Sequence, residues 1–265
     1  MCRIYKLLEG FKESFIGYAI RDNPKYGFLP HFRYFLKNKH RWANSLGVLK
    51  RILARVPEDS NMAWEVWRQF RSAQAEITSV FLVENYFQGK VVELEVAKPD
   101  ITKPCDIRAK FPSGKESYLE VKAQSGQQHG DKHPLSSGPI GFTPQSEKDL
   151  RSWLLEERTS SKTGELMKPY CHQAAEKAAD VLISMTDIFL QESTNMLSLG
   201  KRLSPDFGRI LCKETSGTIR RQLFVVEGGE EISRKMCGLK EVWIFNNSRL
   251  NEVLVIRARN SNAVL

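Results

Sequence analysis

Two short runs separated by a turn constrain this chain more than any other feature. The first is Asp106-Ile-Arg-Ala-Lys-Phe111 and the second is Tyr118-Leu-Glu-Val-Lys122. Between them, Pro112-Ser-Gly114-Lys-Glu116 supplies turn-forming residues, so the stretch predicts a β-hairpin. Side chains alternate along a strand, which puts Ile107, Ala109, Phe111, Leu119, Val121 and Ala123 on one face. That face is apolar throughout and is expected to meet a core. Asp106, Arg108, Glu120 and Lys122 share the other. A hairpin centred near Gly114 pairs residues whose numbers sum to 228, setting Asp106 opposite Lys122 and Arg108 opposite Glu120.

Directly opposed residues lie about 5 Å apart, close enough for both carboxylates to reach one cation. Two carboxylates with a lysine beside them can hold a hard divalent ion and handle a water molecule next to it. That chemistry cuts phosphodiesters. An ordinary solvated ion pair on an exposed strand would show the same spacing, and Glu-x-Lys alone is common. The weight of the motif comes from what precedes it.

Upstream, Ala75-Glu76-Ile77 opens a run through Glu84 and Phe87 to Gly89, followed by the β-branched Val91-Val92. The order is thus a helix carrying Glu76, a strand, Asp106, then Glu120-Val-Lys122. This resembles the PD-(D/E)XK superfamily, the restriction-endonuclease-like nucleases, over Gln74 to Gln124 and a later helix. The resemblance implies an αβββαβ core with a mixed central sheet flanked by helices. It implies Glu76 as the helix glutamate, Asp106 as a metal-binding aspartate, Glu120 as the second ligand and Lys122 as the active-site lysine. Mg²⁺ or Mn²⁺ would be held by Asp106, Glu120 and the Val121 backbone carbonyl, with Glu76 serving a second ion or its water. Gln124, and Gln173 on the later helix, would be accessory residues.

Two other assignments compete. Pro99-Asp100 is a literal Pro-Asp, but it lies six residues before the hairpin strand and precedes Thr-Lys-Pro104, which reads as a loop. At Asp106 the family's proline is replaced by Cys105. On the helix from about Asn61 to Phe87, the stripe Val66, Phe70, Ala73, Ile77 and Phe81 puts Glu84 near its middle and Glu76 at its edge. The wheel does not favour Glu76, which the family pattern alone supports, and Glu84 stands as the alternative.

The charge balance suggests a polyanionic partner. The 265 residues carry a formal net charge of +9. Residues 1–59 hold 12 Lys plus Arg against 5 Asp plus Glu, a net +7. In that segment Tyr26, Phe28, Phe32, Tyr34, Phe35 and Trp42 are interleaved with Lys25, Arg33, Lys37, Lys39 and Arg41. Basic side chains neutralise phosphates and aromatic rings stack on unpaired bases, so these five cations are candidate nucleic-acid contacts. The same pattern also describes an aromatic core with a solvated basic surface. Neither reading separates DNA from RNA.

The remaining pattern predicts a basic helical N-terminal lobe over 1–58, with an amphipathic run from Asn44 to Val56, and an α/β domain over 59–265. Within that domain the expected elements are a helix over Trp64–Phe87 and a strand over Lys90–Val96. The hairpin, a polar loop over Ser125–Gln145 and a helix over Glu147–Glu157 come next. A second long helix over Lys168–Glu192 carries the stripe Ala174, Ala178, Val181, Met185 and Ile188, with Gln173, Lys177 and Asp180 on its polar face. Strands are expected at Gln222–Val226, Glu241–Phe245 and Val253–Arg257, with a short helix near Glu231–Cys237. His129 and His133 sit four apart in a Gly-rich loop without the helical frame of a zinc motif. Five scattered cysteines lack any Cys-x-x-Cys, no apolar run spans a bilayer, and Met1 to Phe11 has no signal-peptide core. The expectation is a cytoplasmic, Mg²⁺-dependent phosphodiesterase acting on DNA in restriction, phage defence or repair. It would work as a homodimer or with partner proteins of a multi-component system. The alternative is a nuclease-fold protein that binds nucleic acid or assembles a complex without cutting.

Overall fold

The computed structural model describes residues 28–49, 64–99, 101–124, 127–128, 142–143, 147–159, 164–186, 210–215, 221–246 and 249–265. The elements, in chain order, are α1 (Phe28–Asn38), α2 (Trp64–Asn85), β1 (Lys90–Lys98), β2 (Ile101–Lys110) and β3 (Glu116–Gln124). Two-residue strands β4 (Gln127–Gln128) and β5 (Phe142–Thr143) pair with each other, as do β6 (Arg158–Thr159) and β7 (Leu166–Met167). The rest are α3 (Glu147–Leu155), α4 (Tyr170–Glu176), β8 (Val181–Thr186), β9 (Ile210–Thr215), β10 (Arg221–Glu227), α5 (Glu230–Lys235), β11 (Glu241–Asn246) and β12 (Arg249–Arg257).

Eight strands form one mixed sheet in the order β1-β2-β3-β8-β11-β12-β10-β9. β1, β2 and β3 are an antiparallel meander, and β3 runs parallel to β8 and β8 parallel to β11. The chain is therefore mixed α/β, with a helix entering the meander and a second short helix crossing from β3 to β8. Among the described residues, no helix is long and apolar enough to cross a membrane.

Two cores cover the two faces of the sheet. Ile107, Ala109, Leu119, Val121, Val181, Ile183 and Trp243 point to one side, where α1 and α2 pack. Leu182, Val242, Ile244 and Leu254 point to the other, under α3, α4 and α5. The alternation expected of the hairpin is present, since Ile107, Ala109, Phe111, Leu119 and Val121 are all buried in the first core. Trp243 locks that core: its ring lies 4.3 Å from Phe87 at the end of α2 and edge-on to Phe111 at 5.7 Å. Such aromatic pairs add about 1 kcal/mol each beyond the area they bury.

The hairpin register differs from the expected one. Ile107 pairs with Leu119, Arg108 with Tyr118 and Lys110 with Glu116, so paired numbers sum to 226. Gly114 is the last residue of a three-residue loop, not its centre. Its φ of +81° follows a turn in which the Gly114 N–H donates to the Phe111 carbonyl at 2.8 Å. A slip of two residues keeps every side chain on its expected face but changes its partner. Arg108 does not meet Glu120; it forms ion pairs with Glu93 at 3.0 Å and Glu116 at 3.6 Å.

Over its described part, residues 168–186, the long helix expected for Lys168–Glu192 is instead a seven-residue helix, a turn and a strand, and the rest of that range lies outside the described residues. Ala178 takes a left-handed φ of 52° and ends α4, and Val181–Thr186 forms a buried central strand. An apolar run enclosed on both faces has no alternation to mark it as a strand, so its hydrophobic spacing also fits a helix. Strand β9 carries no distinctive sequence signal and was not among the expected elements. In the described part of the N-terminal segment, Phe32, Phe35, Trp42 and Val48 join the first core. Residues 45–49 are helical as expected, and the rest of the 44–56 run lies outside the described residues.

Candidate active site

The meander opens at Asp106. Register pairs between β2 and β3 end at Ile107–Leu119, and beyond that point the Val121 N–H donates to Asp106 Oδ2 at 2.7 Å. A side chain thus takes the place of a main-chain carbonyl, and the aspartate is wedged where the strands part. Pro104, two residues earlier, has no N–H to offer a β3 partner, which suits a strand leaving its neighbour. Across the opening, Cys105 belongs to the second core, so the chain near Asp106 reaches both faces of the sheet.

Glu120 and Lys122 lie on the β3 face that meets the second core, in register with Leu182 and Ser184 of β8. The Lys122 ammonium is 2.9 Å from Glu120 Oε1, and the Glu120 side chain is 1% exposed. A second lysine, Lys177 in the turn after α4, donates to Oε1 at 2.6 Å and Oε2 at 2.7 Å. Buried carboxylates need such partners, because an unpaired charge away from water costs several kcal/mol. The Ser184 hydroxyl, on the same face beside Lys122, is buried and has no hydrogen-bond partner among the described residues.

The electrostatics gather three carboxylates. Burial raises the Asp106 carboxyl well above the ordinary carboxylate range, and the negative charges of Glu120 and Glu76 raise it further. Lys177 and the Val121 N–H oppose that rise without cancelling it. For Lys177, burial alone would lower the ammonium; Asp106 and Glu120 outweigh it and hold the group above its usual value. Glu76, from the helix on the opposite face, therefore acts on the same point as the strand residues.

Glu84 has a different place. Its side chain is 4% exposed and accepts from the Tyr34 hydroxyl at 2.6 Å, the Trp42 indole at 3.1 Å and the Val91 N–H at 3.2 Å. Arg41 adds two bonds to it, at 3.2 and 3.3 Å. Every lone pair is engaged in tying α1 and the start of β1 to the end of α2. Glu84 is buried because α2 packs against α1 as well as the sheet and so has two apolar sides, not one.

Among the described residues of the N-terminal segment, most of the aromatic rings are turned inward. Phe32, Phe35 and Trp42 are buried, and Tyr34 stands edge-on to Phe81 at 5.3 Å. Arg41 is committed to Glu84, and the Lys39 ammonium donates to the Leu36 carbonyl at 3.2 Å. Arg33 and Lys37 are exposed, while Lys25, Asp100, His129 and His133 lie outside the described residues. Gln124 closes β3 in register with Thr186. The Gln173 amide donates to the Lys168 carbonyl at 2.7 Å and so secures the start of α4. Beside Lys122, the Tyr170 ring lies 6.0 Å from its ammonium and 5.3 Å from Trp153, which in turn carries Arg158 over its face at 3.5 Å.

The donor set suits a hard cation: carboxylate oxygens, crowded enough to raise Asp106, with two ammonium groups drawn in. It is not a ready-made coordination shell, since among the described residues no group of three or more His, Cys, Asp or Glu stands arranged to hold an ion. Lys177 was expected on a solvated helix face, and no local signal marked it as a partner of Glu120; that contact depends on where the turn after α4 meets β3. No family model matches the chain, and no curated protein or solved structure matches it.

Proposed function

We propose that the chain is a metal-dependent phosphodiesterase of the restriction-endonuclease-like type, acting on DNA. The observation that carries this reading is the wedge at Asp106: a carboxylate held by the Val121 N–H at 2.7 Å, within the field of Glu120 and Glu76, with Lys122 2.9 Å from Glu120. The order α2-β1-β2-β3, then α3 and α4 before a β8 that runs parallel to β3, supports it, because it resembles the αβββαβ order of such nucleases with one helix added.

Asp106, Glu120 and the Val121 carbonyl would hold Mg²⁺ or Mn²⁺, with Glu76 completing the acidic set. A bound divalent ion supplies Lewis-acid stabilisation of charge building on a scissile phosphate. Lys122 presents a fixed positive charge at the same edge and would orient the attacking water or neutralise the phosphate. The backbone bond to Asp106 keeps one oxygen directed, leaving the other for the ion. The overall excess of basic residues, a net +9, favours a polyanionic substrate.

The test is incubation of the purified protein with supercoiled plasmid and with single-stranded DNA in Mg²⁺, Mn²⁺ or EDTA. Cleavage that needs the ion and disappears in folded Asp106→Asn and Lys122→Ala supports the assignment. Undiminished cleavage by both variants sinks it. DNA binding without cleavage by the wild-type protein would favour a nuclease-fold protein that binds or assembles without cutting.

A further inference from the structure

Lys177 occupies the position that the proposed metal site most needs. Its ammonium contacts both oxygens of Glu120, at 2.6 and 2.7 Å, on a carboxylate that is 1% exposed. Those lone pairs are the ones a divalent ion would take from a carboxylate. The lysine backbone is anchored, because its N–H donates to the Ala174 carbonyl at 3.1 Å and its carbonyl accepts from Cys105 Sγ at 3.1 Å. Only the side chain is left to move, and as a whole it is 17% exposed. Lys122 cannot substitute for it, since Lys122 reaches a single oxygen, Oε1.

A divalent ion at Glu120 would need lone pairs on the two oxygens that the Lys177 ammonium now engages, whereas Lys122 engages Oε1 alone; like charges about 4 Å apart repel by several kcal/mol where water is largely excluded. We propose that Lys177 is the internal counter-ion of the acidic cluster, holding Glu120 in the ion-free protein and released from it when a divalent ion binds. The exchange keeps the buried carboxylates neutralised in both states. It also accounts for carboxylates that are crowded like ligands yet not arranged as a coordination shell. This rests on reading the site as a metal centre, and it adds that ion affinity is set by competition with a tethered lysine.

The experiment is calorimetric titration of Mn²⁺ into wild-type protein, Lys177→Met and Lys177→Gln, with Asp106→Asn as the control for site-specific binding. Thermal unfolding is followed with and without the ion. Removing the competitor is expected to tighten Mn²⁺ binding about ten-fold, within the range of coupling between two ligands of one site. The ion-free variants should melt below wild type, and Mn²⁺ should narrow the gap. Unchanged or weaker binding in a folded Lys177 variant, beside Asp106-dependent binding in wild type, overturns the counter-ion role and leaves the metal centre standing. No Asp106-dependent binding in any protein overturns both. Should neither variant fold, wild-type protein carries the test through reductive methylation read by mass spectrometry. Lys177 should react faster at saturating Mn²⁺ than without it, and an unchanged rate overturns the proposal.

Discussion

The Val121 N–H donates to Asp106 Oδ2 at 2.7 Å, so the aspartate is at once a member of the acidic cluster and a structural acceptor. The two roles separate under substitution. Asp106→Ala leaves the Val121 N–H without a partner and should cost about 1–3 kcal/mol. Asp106→Asn keeps an acceptor and removes a carboxylate charge that burial, and then Glu120 and Glu76, disfavour, so the ion-free protein should melt higher. Both should lose cleavage. Thermal unfolding of the pair decides it, and equal melting temperatures would show that the bond contributes nothing.

Lys122 should separate activity from stability in the other direction. Glu120 keeps Lys177 as a partner when Lys122 is removed, so the carboxylate is not left unpaired. Lys122→Ala should therefore shift stability by less than about 1 kcal/mol while lowering the cleavage rate about 10²–10³-fold. The readouts are urea denaturation and single-turnover plasmid cleavage.

Glu84 should behave as a structural residue. Glu84→Ala strands Tyr34, Arg41, Trp42 and Val91 and should cost about 3–5 kcal/mol. Trp42 fluorescence should report the loosened N-terminal segment. Glu76→Gln should act on cleavage. If Glu84→Ala instead keeps its stability and loses only cleavage, the two roles have been exchanged.

His31 should give the protein an acid-sensitive step. The ring is buried, stacks on Phe81 at 4.4 Å and shares a 3.2 Å hydrogen bond with Thr78. Burial pushes its pKa down to about 4. Between pH 6.5 and about 4 the unfolded chain binds a proton there that the folded chain refuses, so stability rises with pH across that window and falls on acidification. The full effect approaches about 3 kcal/mol. Urea denaturation at a series of pH values should show a smaller acid loss for His31→Asn than for wild type.

The sequence by itself determined which faces the hairpin residues take, because alternation along a strand is a local property that survives a register slip. Thus Ile107, Ala109, Leu119 and Val121 fall into the core, and Glu120 and Lys122 fall opposite, whichever residues they pair with. It also marked α2, β1, α3, β10, β11 and β12, whose patterns bear on a single covered face or carry clear end signals. Tertiary structure decided the rest. Val181–Thr186 is a strand because two parallel neighbours, β3 and β11, enclose it, and only their presence distinguishes it from a buried helix turn. Glu84 turns to α1 because α2 packs on two sides, which no single helical wheel can show. The pairing of Lys177 with Glu120, 57 residues away, exists because the turn after α4 comes down beside β3; spacing along the chain carries no trace of a contact made by packing.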